Sequence, residues 1–89
     1  MSDALSRSVD ALGAQWQRAE ATLCAIRVRI DFTCGDLRFD KEHIRFRGYR
    51  YENLSVPFKI AASGLLVEFL AAYEAELNRL EAEAKRLLR

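Results

Sequence analysis

Polar and apolar residues along this 89-residue chain fall into three stretches of different period. Leu5, Val9, Leu12, Trp16, Ala19 and Leu23 recur at intervals of 4, 3, 4, 3 and 4 residues. That spacing places all of them on one side of a helix. The stripe predicts a first helix over about residues 3–23, with Ser2 as its cap and Asp3–Arg7 as a supporting pair one turn apart.

From Cys24 the period drops to two. Cys24, Ile26, Val28, Ile30 and Phe32 alternate with positions that include Arg27, Arg29 and Asp31, and Leu37-Arg38-Phe39 and Ile44-Arg45-Phe46-Arg47 continue the alternation. Such a pattern describes strands with one buried and one solvated face. It predicts three antiparallel strands over about residues 24–32, 36–40 and 43–51. With Cys34-Gly35 as a two-residue loop, Phe32 faces Leu37 and Ile30 faces Phe39, while Asp31 meets Arg38 and Arg29 meets Asp40. A second turn at Lys41-Glu42 sets Ile44 against Phe39, Phe46 against Leu37, Arg47 beside Asp36, and Arg38 against Arg45. Gly48 marks a bulge or the end of pairing.

Ser55-Val56-Pro57 is a helix-start signal. Leu66, Leu70, Tyr73, Leu77, Leu80, Ala84 and Leu87 then follow at intervals of 4, 3, 4, 3, 4 and 3, predicting a helix over about residues 56–88. Ala62, Leu65 and Phe69 widen the apolar face in its first half, and the second half keeps only the narrow stripe.

The order α-β-β-β-α gives one α+β domain, residues 1–89, in which a three-stranded antiparallel meander carries both helices on one face. The wide half of the long helix spans ~24 Å at the helical rise, close to the ~27–30 Å of strands of about eight or nine residues. The tail beyond then has no partner within the chain. Leu77, Leu80, Leu87 and Leu88 are the expected assembly contacts of a homodimer.

Charge adds a second surface. The net charge is +1, yet residues 24–59 hold eight basic and five acidic side chains. Eleven of the 14 basic residues are arginine, which favours planar, bidentate contacts. Arg27, Arg29, Arg45, Arg47 and Arg50, with Tyr49 and Tyr51 beside them, are the expected partner-binding residues. A protein with an acidic surface is the first reading of that partner. Nucleic acid, with the arginines on phosphates and the tyrosines stacked on bases, is the second.

The chemistry of catalysis is thin by comparison. Two cysteines and one histidine are too few for a zinc site. His43 has no Ser or Cys placed beside it as a nucleophile. No cofactor motif stands out, so no catalytic residue, metal or cofactor is expected, and the reading is a non-enzymatic binding module of the adaptor, accessory-subunit or small-inhibitor kind. Cys24 and Cys34 read as free thiols. Without an uninterrupted apolar run of membrane-spanning length or a leader-like start, the expectation is a cytoplasmic protein with no membrane partner.

Overall fold

The computed structural model describes the backbone of residues 2–88 and the side chains of residues 9–88. The chain runs α1 (Ser2–Cys24), β1 (Phe32–Cys34), β2 (Leu37–Asp40), β3 (His43–Phe46), β4 (Tyr49–Arg50), a 3₁₀ turn (Tyr51–Asn53) and α2 (Val56–Leu87). The class is α+β, with both helices on the apolar face of an antiparallel sheet and a long C-terminal helix. The sheet has four strands in the order β1-β2-β3-β4, one more than the alternation predicted. The expected Ser2 cap, the Asp3–Arg7 pair and the placement of Leu5 lie outside the described side chains.

The first predicted strand is the largest correction. Residues 24–32 do not form one: α1 continues through Cys24, an irregular connection follows, and β1 spans only Phe32–Cys34. The loop is Gly35-Asp36, so Phe32 pairs with Phe39, Thr33 with Arg38 and Cys34 with Leu37. Gly35 takes φ 60 at the first loop position, where a left-handed residue suits a two-residue hairpin. This register puts Phe32 two residues further along β2 than expected, and β2 ends at Asp40. A strand pairs only as far as its neighbour reaches, so Ile30 has no strand opposite it. Its backbone is satisfied by Tyr73 instead: Ile30 N–H donates to the Tyr73 hydroxyl (3.1 Å), which donates to Ile30 C=O (3.3 Å).

The second hairpin matches the alternation residue for residue. Leu37 pairs with Phe46, Arg38 with Arg45 and Phe39 with Ile44. The third predicted strand is divided by a two-residue turn, Arg47-Gly48, with φ 52 and 88. Phe46 then pairs with Tyr49 and Arg45 with Arg50. Gly48 is therefore a hairpin loop residue rather than a bulge. Where β4 turns into the 3₁₀ turn, the Ile44 N–H would lose its ladder partner. The Glu20 carboxylate of α1 accepts it through Oε2 at 3.0 Å.

Leu37, Phe39, Ile44 and Phe46 form the floor of the core, under Trp16, Ala19 and Leu23 of α1 and Ala62, Leu66, Phe69 and Tyr73 of α2. Tyr73 sets its ring edge-on to both Phe32 and Phe39, with centroids 5.5 and 5.8 Å away. Trp16 stacks on Tyr51 at 5.0 Å, and Lys59 near the start of α2 sits over the same Tyr51 ring. Leu23 lies beside Leu70, Tyr73 and Leu77. The two helices therefore run in the same direction, with Trp16 toward the start of α2 and Leu23 against its middle.

Strands of two to four residues cover far less of α2 than expected. Its 32 residues span ~48 Å. The molecule is correspondingly long and thin, 61 × 20 × 19 Å. α1 ends at Cys24, and α2 runs on past it.

Candidate functional site: a divided arginine surface and an uncovered helix

The arginines predicted to share one face occupy three places. Arg38, Arg45 and Arg50 form a row across the outer face of β2, β3 and β4. Like charges directly opposite repel, and Asp40 offsets this for two of them, pairing with Arg38 Nε at 3.2 Å and accepting from Arg45 Nε at 3.0 Å. Arg45 is thus held at the sheet surface. Arg50 Nη2 lies 3.1 Å from Glu52 Oε1.

Arg47 is in the turn, where its guanidinium reaches Asp36 at 3.5 Å and lies over the Phe46 ring at 5.1 Å. That position is at the rim of the helix side. Arg27 and Arg29 are in the α1–β1 connection, exposed and off the sheet. The pairs expected between Arg29 and Asp40 and between Asp31 and Arg38 do not form, because no strand carries Arg29 or Asp31.

Neither tyrosine joins the arginine row. Tyr49 pairs with Phe46 and so shares the apolar face, 62% exposed at its margin. Tyr51 turns inward onto Trp16. Tyr49 borders a cleft of about 440 Å³ with Phe46, Arg47, Asn53, Leu54, Ser55 and Phe58. Phe46 and Phe58 face each other there at 6.1 Å. No carboxylate lines this cleft, and the first turn of α2 has no acidic residue. Phe58 was not picked out by sequence reasoning. It falls off the main helical stripe, and only its place one residue after Pro57 was a hint.

The second uncovered region is the far half of α2. Leu77 still packs on the core and Leu80 is half-buried, but Leu87 and Leu88 are 81% and 87% exposed. Between this half and the α1–β1 connection runs a groove of about 590 Å³, lined by Ile26, Arg27, Val28, Leu77, Leu80, Glu81 and Ala84. Ile26 and Leu77 also line an adjoining apolar depression with Leu23, Leu70 and Tyr73. On the flanks of the helix Arg79 bridges Glu76 and Glu83, and Lys85 pairs with Glu81. The hydrogen bond from Arg79 holds the Glu76 carboxyl below its ordinary range, and the same bond raises the Arg79 guanidinium.

The front half of α2 carries a further exposed stripe, Val56, Ile60 and Val67, opposite its core face. An 18-residue window of this helix reaches a mean hydropathy of 1.4 with 22% of it buried, so α2 is long and apolar enough to cross a membrane by length and composition. The expectation of no such segment rested on uninterrupted apolar runs, and Lys59 and Glu68 interrupt this one. A core helix meets the same measure, and Ala62, Leu66, Phe69 and Tyr73 are in the core.

Among the described residues no three His, Cys, Asp or Glu side chains gather as a metal site. Cys34 pairs with Leu37 and His43 with Asp40, at opposite ends of β2, so thiol and imidazole are apart. His43 Nδ1 instead donates to Glu20 Oε2 at 3.1 Å, since an ionised carboxylate only accepts. No family model, curated protein or solved structure matches the chain.

Proposed function

We propose that this protein is a non-enzymatic protein-binding module that self-associates through the C-terminal half of α2 and binds an acidic protein partner through its arginine surface. The observation that carries the reading is the departure of α2 from the core at Leu77. A helix with an apolar stripe ending in Leu87 and Leu88, beside an apolar groove, is incomplete as a monomer surface. For the acidic partner, the Arg47–Tyr49–Phe58 cleft is better suited than the sheet row. It offers exposed aromatic area with a cation at its rim, the side chains enriched at interface hot spots. Arg38 and Arg45 already share Asp40. The nucleic-acid reading loses Tyr51, which packs on Trp16, and has Tyr49 on the face opposite the Arg38, Arg45 and Arg50 row.

Light scattering on a sizing column tests the assembly. The full chain is expected at dimer mass, and the Leu87→Glu/Leu88→Glu variant at monomer mass with an unchanged circular-dichroism spectrum. A monomeric full chain sinks the reading. Retention on mixed oligonucleotides at physiological ionic strength separates the partner classes. The expected result is flow-through, and firm retention would favour the nucleic-acid reading.

A further inference from the structure

Resting on that self-association, we infer that the occupant of the groove beside Leu77, Leu80 and Ala84 is the α2 tail of a second copy, packed antiparallel about a two-fold axis at Ala82. The groove exists because α1 stops. α1 follows α2 up to Cys24, and beyond that point Ile26 and Val28 floor a channel in which no helix lies. The tail of another molecule continues the track that α1 leaves.

The sequence of the tail is self-complementary in this direction. Reversal about Ala82 sets Leu77 opposite Leu87 of the second copy and Leu80 opposite Ala84 of the second copy. Both pairs share one centre, so the whole stripe closes with a large residue meeting a large one at the ends and a large one meeting a small one in the middle. Leu87 of the second copy then reaches the mouth of the groove formed by Ile26, Val28 and Leu77. A parallel arrangement would bring the two sheets side by side and leave Ile26 and Val28 uncovered.

The flanking charges agree with the reversal. Glu81 and Lys85 lie on one flank, 3.4 Å apart, and Arg79 and Glu83 on the other, 3.1 Å apart. About the Ala82 axis, Lys85 of the second copy comes within about 3 Å of level with Glu81, at the helical rise. Glu83 of the second copy stands in the same relation to Arg79. The paired Glu81 carboxylates near the axis are each bounded by a lysine. The overlap, about 16 Å long, is small, so the expected dimer is weak, with a dissociation constant on the order of micromolar. The two sheet ends point away from each other, leaving both Arg47–Tyr49–Phe58 clefts open.

The test has two stages. Concentration-dependent light scattering of the full chain asks first whether a dimer forms; a monomer throughout removes the assembly reading and this geometry together. Given a dimer, Leu80→Cys and Ala84→Cys chains are prepared separately in a Cys24→Ala/Cys34→Ala background, checked for folding by circular dichroism, then mixed and oxidised. The antiparallel geometry predicts that the mixed disulfide between the two kinds of chain dominates over either homodisulfide. Homodisulfides in each separate preparation, or no mixed disulfide from a mixture that scatters as a dimer, overturn the geometry and leave self-association standing. Should the cysteine variants misfold, single charge reversals on the native background replace them. Glu81→Lys and Lys85→Glu are each expected to weaken the dimer several-fold, and an equimolar mixture to recover it. No change in any of the three would overturn the geometry.

Discussion

The two halves of α2 repeat the same 4-3 spacing of apolar residues and have opposite surroundings. In the front half the stripe at Leu66, Phe69 and Tyr73 closes the core against the sheet and α1. In the back half Ala84, Leu87 and Leu88 are exposed. Periodicity therefore says that a helix has an apolar side, and it is silent on what covers that side. The covering is decided by how far the neighbours extend. The strands are too short and α1 ends too early to reach the second half, so one continuous helix is both a core element and a free one.

The sharpest way to break this comparison is to truncate the stripe on each side of Leu77. Phe69→Ala removes a ring buried to 1% exposure and touching Phe32 and Tyr73, and is expected to cost about 3–5 kcal/mol. For a domain of this size that is a large share of its total stability. Leu87→Ala, on the same stripe, is expected to stay within about 0.5 kcal/mol for the monomer, as at other exposed sites. Urea melts at low protein concentration measure both. Equal losses would mean that the tail is packed in solution and that the two halves are alike.

A smaller effect tests how α1 and α2 replace missing strands. Glu20→Ala takes the acceptor from Ile44 N–H and from His43 together, and a buried or half-buried donor left unpaired costs about 1–3 kcal/mol. Tyr73→Phe keeps the ring and removes both bonds to Ile30, with an expected loss of about 1–2 kcal/mol. Hydrogen exchange sharpens the result: Ile44 N–H should lose protection in the first variant and Ile30 N–H in the second. Unchanged protection in either would show that the side chain is a bystander and not a substitute for the ladder.

These substitutes are also where the sequence was hardest to read. The β2–β3 register followed directly from alternation, because Leu37, Phe39, Ile44 and Phe46 all need the same buried face and the Lys41-Glu42 turn leaves one way to achieve it. Cys24–Phe32 alternates just as well and is not a strand. Its Ile26 serves the α1 end and the tail groove, and only Phe32 finds a strand partner. The limit was present in the chain, since five residues between two turns cannot pair with nine. The arginine surface was misplaced for the same reason: Arg27 and Arg29 were carried on a strand that β2 is too short to support. Arg47-Gly48 between Phe46 and Tyr49 was a second hairpin signal of the same form as Gly35-Asp36. Glu20 carried no signal at all, since an acceptor for one backbone N–H is visible only once the end of β4 is known.

The mildest prediction concerns what holds the free half of α2 as a helix when packing does not. Local pairs must contribute, and Arg79 is the centre of them, bonding Glu76 one turn back and Glu83 one turn on. Because the Arg79 bond depresses the Glu76 carboxyl, its stabilising effect is present above the ordinary carboxylate pKa and fades as pH falls through the lowered one. Both groups are at the surface, where such pairs are worth little and are screened by salt. The expected signature is therefore local: acidification loosens the tail before the core, seen as earlier exchange of amides beyond Leu77 than of those around Phe69. Arg79→Gln should bring the Glu76 titration, followed by its carboxyl carbon resonance, up toward the ordinary range and lower tail helicity without shifting the main unfolding transition. A shift of the main transition would mean that the tail and the core unfold as one unit, and the two halves of α2 would then differ in exposure but not in cooperativity.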